Sequence, residues 1–233
     1  MIFPEKRSLT VVIVISFVLV LVIVSQRGSD AEEIPSVLCV IIVSGSGGYP
    51  PNELGKAASF RSYMEDRYPS NQMVYLTQGS VPGSDGPADL ENVEDAFEWL
   101  SQTSSMEDEV VIYIYDYAQC INNEVQLSLN DGNLSVQTLD SWLDQVECSN
   151  MTLIVNGERS GLAGPDLSGS SRDIICSMGS EQTYDPDLFN ITRSLEDPSA
   201  DMNSDEVVDY TEAYWKEVEN LEGSGQDPCI YVP

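Results

Sequence analysis

The sequence predicts an α/β domain in three layers, a mostly parallel sheet with helices on both faces. Three observations point there. Apolar runs with no polar alternation recur at 37–43, 110–115 and 152–155, the pattern of strands buried on both faces. Stretches of helical periodicity separate them, so strand and helix alternate from residue 37 onward. The 233 residues, 42% of them hydrophobic, suit one domain with a real core and small appendages.

The chain opens with residues 1–8, which carry Lys6 and Arg7, ahead of an apolar stretch, Leu9 to Val24, broken only by Thr10 and Ser16. Its length is near the lower limit for crossing a bilayer. Residues 9–25 are expected to be an uncleaved signal anchor; a cleaved signal peptide is the alternative. The basic pair places residues 1–8 in the cytoplasm and the body outside the membrane, single-pass, or secreted if the signal is removed. Residues 26–36 form a polar linker.

The body begins with the strand Val37–Val43, which ends in Ser44-Gly45-Ser46-Gly47-Gly48. Neither a dinucleotide fingerprint nor a phosphate-loop Lys is present, so this is expected to be a plain strand-to-helix loop. Leu54, Ala57, Ala58, Met64 and Tyr68 predict a helix over 54–68 that Pro69 ends. Met73–Leu76 is a short strand. Asp89 to Leu100 is a helix with Leu90, Val93, Ala96, Phe97 and Leu100 as its stripe. In the stretch Val110–Ala118, six consecutive apolar or β-branched residues form the central strand and stop abruptly at Asp116-Tyr117-Ala118. Glu124–Leu129 alternates apolar and polar and leads into Asn130-Asp131-Gly132, a hairpin signal. Ser135 caps a helix with stripe Val136, Leu139, Leu143 and Val146. Thr152–Val155 and Asp173–Met178 are the last strands expected. The α/β body spans 37–182, and 183–233 is an acidic extension.

Acidic residues outnumber basic ones 39 to 10, a net charge of −29. Such a body repels nucleic acid. The acids are spread along the chain, which favours solubility in high salt over one localised cation site. There is no histidine. That excludes Ser-His-Asp and Cys-His catalysis and His-ligated zinc in any fold. Of five cysteines, Cys39 and Cys176 sit in apolar runs as small core residues, while Cys120, Cys148 and Cys229 lie at element ends where pairing is open.

In open α/β sheets, chemistry sits beyond the carboxyl ends of the strands. Here those ends read Asp116-Tyr117-Ala118 and Asn156-Gly157-Glu158-Arg159-Ser160-Gly161. Between them lies Leu139-Asp140-Ser141-Trp142-Leu143, and Ser177-Met178-Gly179-Ser180-Glu181 follows the last strand. This order resembles the caspase-like fold of legumain-type (asparaginyl endopeptidase) cysteine peptidases over about residues 37–182. In that family one strand ends in Asp-His-Gly, with His the general base. The next ends in Asp/Glu-Ala-Cys-x-Ser-Gly, with Cys the nucleophile. The resemblance puts Tyr117 at the base position and Glu158 at the nucleophile position, while Asp116, Ser160 and Gly161 keep the pattern. Ser177, Ser180 and Glu181 match the segment that shapes the family's substrate pocket. The resemblance therefore implies a degenerate peptidase that binds or assembles with a protein or peptide. The family includes the catalytic subunit of the complex that attaches glycolipid anchors, which makes membrane proteins reasonable partners. The alternative is a hydrolase that uses Asp116 and Glu158 as carboxylate acid and base, or with a metal. The blander one is that Glu158 and Arg159 are solvated loop charges and Tyr117 fills space.

Asp201 to Glu212 reads like a calcium loop, with oxygen side chains from Asp201, Asn203, Asp205, Asp209 and Glu212. Position six holds Glu206 where a glycine usually makes the turn. The other reading is a helix start with acids near its dipole, the helix running from about Tyr210. Calcium is thus the one candidate cofactor. Asn133, Asn150 and Asn190 begin Asn-x-Ser/Thr triplets, candidate glycosylation sites if the body is exported.

Overall fold

The computed structural model describes residues 36–44, 51–69, 72–79, 81–182, 185 and 188–233. The expected anchor at 9–25 and almost all of the linker lie outside them. Among the described residues no helix is long and apolar enough to cross a membrane.

One sheet organises the body. Its strands are β1 (Val37–Val43), β2 (Met73–Thr77), β3 (Gly86–Pro87), β4 (Glu109–Tyr115), β8 (Asn150–Asn156), β9 (Arg172–Cys176) and β10 (Cys229–Tyr231), while the three strands between β4 and β8 form a separate small sheet. The spatial order is β10-β9-β8-β4-β1-β2-β3. Every pairing is parallel except β9 with β10. The continuous apolar runs are explained by what covers them. Leu38, Val40 and Ile42 of β1 face one core with α2 (Leu90–Thr103), α3 (Val136–Leu143) and α4 (Gly164–Leu167). Val37, Cys39, Ile41 and Val43 face the other, with α1 (Pro51–Glu65), α5 (Ile191–Leu195) and α6 (Tyr210–Asn220). Both faces of the strand are dry, so polar alternation would bury unpaired groups.

The expected cap forms at Ser135, whose hydroxyl accepts from Thr138 N–H at 3.0 Å. Asp89, read as the first residue of its helix, stands just before it as the cap, its carboxylate accepting from Asn92 N–H at 3.0 Å. Elsewhere the elements differ. Helix α1 runs from Pro51 to Glu65 rather than over 54–68. Proline is well suited to a first turn. The buried face of α1 is Ala57, Phe60, Tyr63 and Met64, while Ala58 is exposed.

The central strand stops at Tyr115, and Ala118 belongs to the second sheet. That sheet is a three-stranded antiparallel unit of β5 (Ala118–Ile121), β6 (Glu124–Ser128) and β7 (Asn133–Ser135). The tight hairpin turn is Asn122-Asn123, both left-handed at φ 53° and 69°, a pair asparagine tolerates. Asn130-Asp131-Gly132 joins β6 to β7. The stretch 183–233 does more than extend the body. Its α5 and α6 complete one helical layer and β10 adds an edge strand, so residues 36–233 form one compact unit. The helix expected from about Tyr210 is α6, whereas the five-residue α5 and the three-residue β10 are too short to show a periodicity.

Candidate functional site

The parallel strands β1, β4, β8 and β9 end side by side, and main-chain bonds tie the residues just past them. Tyr115 pairs with Asn156 in register. Ser44 N–H donates to Tyr115 O at 3.0 Å, Asp116 N–H to Asn156 O at 3.0 Å, and Ser177 N–H to Val155 O at 3.0 Å. Ala118 N–H continues the row by donating to Glu158 O at 3.1 Å. Ser44, Asp116, Asn156 and Ser177 are all buried. The structure thus brings the predicted positions 116–117 and 158–161 together at one edge.

Two glycines make this closeness possible. Gly157 has φ +149°, and a Cβ there would lie 1.9 Å from Asp116 O. Gly161 N–H donates to Met178 O at 3.0 Å, where a Cβ would stand 2.7 Å from the same oxygen. The residues after β9 support the loop from beneath. Ser177 Oγ accepts from Gly157 N–H at 3.0 Å. Ser160 Oγ accepts from Met178 N–H at 3.2 Å and lies 3.3 Å from Ser177 Oγ. Ser160 and Ser177 are therefore buried braces of the loop. Of the other expected pocket residues, Ser180 is half-buried and Glu181 exposed.

The two carboxylates proposed as an acid–base pair sit in opposite surroundings. Glu158 is exposed. Asp116 is 1% exposed; its Oδ1 accepts from Tyr117 N–H at 2.6 Å, while Oδ2 and the Ser44 hydroxyl have no partner of normal geometry. Burial pushes the Asp116 carboxyl well above the usual range, against the Tyr117 N–H, the nearby Ser44 hydroxyl and the Ser128 backbone. Tyr117 is half-buried beside it. Sequence reasoning singles out neither Ser44 nor Tyr113, whose hydroxyl accepts from Asn156 Nδ2 at 2.8 Å. The only available signal is that Ser44 closes an apolar run.

A raised Asp116 pKa means the folded state holds this proton more tightly than the unfolded chain does. The associated stability is complete below the unfolded value, about 3.9, and is lost as pH rises through the folded one. Asp116→Asn keeps the Tyr117 bond and offers Ser44 a donor. The variant is expected to gain stability over the parent as pH rises from about 4 to 8, read as urea midpoints. Parallel profiles for the two proteins would count against a buried, protonated Asp116.

In the 201–212 loop the acids turn inward to the backbone. Asp201 accepts from Ser204 and Glu206 N–H at 2.6 and 3.0 Å. Asn203 accepts from Asp205 N–H and Asp205 from Val207 N–H, each at 2.8 Å. Glu212 accepts from Met202, Asn203 and Asp209 N–H at 2.9, 3.0 and 3.1 Å, and Asp209 caps α6 in return. Glu206 takes the left-handed turn at φ 71° without being glycine. Among the described residues no group of three or more acids or cysteines is arranged to hold a metal ion. Asn133 and Asn150 are exposed, whereas the half-buried Asn190 accepts from Arg193 N–H as the cap of α5.

No family model and no curated protein matches the sequence. Among solved structures, the chain is similar to protein GSU0716 from Geobacter sulfurreducens. The two are 11% identical with a TM-score of 0.59, over 84% of this chain and 93% of that chain. At that identity the likeness is one of fold. The chain is accordingly a mixed α/β protein whose mostly parallel seven-stranded sheet is flanked by helices.

Proposed function

We propose that this chain is a membrane-anchored, extracytoplasmic relative of the legumain-type, caspase-like peptidases that has lost catalysis and serves as a binding or assembly module. The observation that supports this most is the adjacency of β4 and β8, parallel and ending in register, with Tyr117 and Glu158 just beyond where the family's base and nucleophile stand. A Cys-His peptidase needs a thiolate and an imidazole within hydrogen-bond reach. Neither side chain stands at these positions, and the chain has no histidine to supply elsewhere. Ser160 and Gly161 keep the family's pattern and brace the loop against the residues after β9, whereas Gly157 stands where the family has Ala, in a conformation whose Cβ would meet Asp116 O.

The surroundings of the carboxylates argue against the hydrolase alternative. General acid–base catalysis needs both groups within reach of one substrate. Asp116 is buried under the loop and Glu158 is in solvent. The purified chain is expected to turn over no Asn- or Asp-containing peptide. Turnover that disappears in Glu158→Gln or Asp116→Asn would establish the hydrolase instead. Tyr117→His with Glu158→Cys tests the family placement. Labelling of the new cysteine by a peptide electrophile faster than that of Glu158→Cys alone is expected, because an imidazole nearby raises the thiolate fraction. Equal rates would contradict it.

Calcium at the 201–212 loop is a second, separate reading, favoured by the left-handed turn at Glu206, the conformation such a loop needs at its sixth position. Millimolar Ca²⁺ is expected to raise the melting temperature, since a ligand of the folded state stabilises it. No shift removes the reading.

A further inference from the structure

Two thiols face each other across the only antiparallel pairing described in the large sheet. Cys229, the first residue of β10, stands directly opposite Cys176, the last of β9. Opposed residues of such a pair have Cα atoms about 4.5–5.5 Å apart, inside the span of about 4.4–6.8 Å that disulfides bridge. Both side chains lie on the same side of the sheet, packed into the same apolar core. Cys176 is fully buried and Cys229 is partly exposed. Cys229 Sγ also lies 3.7 Å from Met178 O and 3.8 Å from Tyr231 Oη.

We propose that Cys176 and Cys229 form a covalent modification site, a cross-strand dithiol that a small disulfide of the glutathione class oxidises to an intramolecular bridge. The Cys229 thiolate attacks one sulfur of the oxidant. A mixed disulfide forms, the oxidant's own S–S bond breaks, and its other half leaves as a thiolate. Cys176 then gives up its proton to that leaving thiolate and attacks the Cys229 sulfur, expelling the second half. Two protein thiols are oxidised to one disulfide, and one disulfide is reduced to two thiols. The surroundings assign the roles. The hydrogen bond from Cys176 holds the Cys229 thiol down to about 7, against burial and with help from Tyr231. The same bond, with burial, raises Cys176. The exposed partner is therefore the attacker and the buried one the resolver.

The bridge would fasten an edge strand of three residues that supports the candidate site. The Tyr231 ring packs where a Cβ on Gly164 would lie 2.1 Å from it, and its hydroxyl donates to Gly161 O at 3.5 Å. The inference does not depend on the proposed function.

The test uses the full chain in detergent with Cys120→Ser, which removes the exposed thiol, reduced and then given oxidised glutathione at about pH 8. The expected product has lost two hydrogens in mass, yields a linked peptide containing Cys176 and Cys229, and melts roughly 5 °C or more above the reduced form. Material isolated with this bridge already formed is equally supportive. Adding Cys176→Ser should trap the glutathione adduct on Cys229. Adding Cys229→Ser should leave Cys176 unmodified. If Cys176→Ser does not fold, the parent and the Cys229→Ser variant decide. Unreactive thiols, an adduct that persists on Cys229 with Cys176 present, or a bridge to Cys39 or Cys148 would overturn the proposal.

Discussion

Gly157→Ala is expected to cost about 3–5 kcal/mol of folding stability, measured by urea denaturation of the purified chain. Two penalties coincide. The backbone at φ +149° lies in a region that side chains rarely adopt, and a Cβ would stand 1.9 Å from Asp116 O and 2.8 Å from its carbonyl carbon. The obstacle is backbone, so no rotamer change relieves it. Nor can Asp116 move freely, since its N–H is bonded to Asn156 O. The ends of β4 and β8 would have to part, and the Gly157 N–H bond to Ser177 would go with them. A loss below about 1 kcal/mol would show that this edge is softer than the contacts imply.

Glu217→Ala is expected to cost a similar amount, about 3–5 kcal/mol. Glu217 lies on α6 with no exposed surface. Its carboxylate accepts from Asn190 N–H at 2.8 Å, Arg193 Nη2 at 3.2 Å, Asn220 Nδ2 at 3.4 Å and, closely, the Ser194 hydroxyl. It thereby stitches the start of α5 to α6, two elements of one layer over the sheet. Truncation strands the buried Ser194 hydroxyl and the half-buried Asn190 N–H, whereas the exposed Arg193 and Asn220 turn to solvent, and it leaves a cavity in a fully buried site. Glu217→Gln keeps most acceptor positions and should lose only about 1–2 kcal/mol. Equal losses for both variants in thermal melts would mean that the charge matters more than the shape.

Glu217 shows why part of the molecule is opaque to sequence. It is one of 39 acidic residues and carries no local mark of burial. Its role follows from α5 and α6 crossing, a contact across 27 positions at Asn190. Cys229 is similar: three residues of β10 cannot announce an antiparallel strand, and Cys176 reads only as a core thiol until the strands are in register. The central run stops being apolar after Tyr115, where β4 ends, but that the chain then leaves the sheet to begin β5 at Ala118 is a departure apolar composition does not encode.

By itself the sequence determined the layering and one exclusion. Burial on both faces demands uninterrupted apolar residues, so 37–43, 110–115 and 152–155 declare themselves wherever they sit. A chain without histidine has no imidazole base in any conformation. It also supplied the addresses 116–117 and 158–161, since an apolar run that stops marks a strand end. Only the tertiary structure decided that these ends lie side by side, that Asp116 is buried while Glu158 faces solvent, and that Cys176 meets Cys229. Those outcomes depend on strand order and register, which are set by contacts between residues dozens of positions apart, whereas strand and helix patterns are written within a few residues of each other.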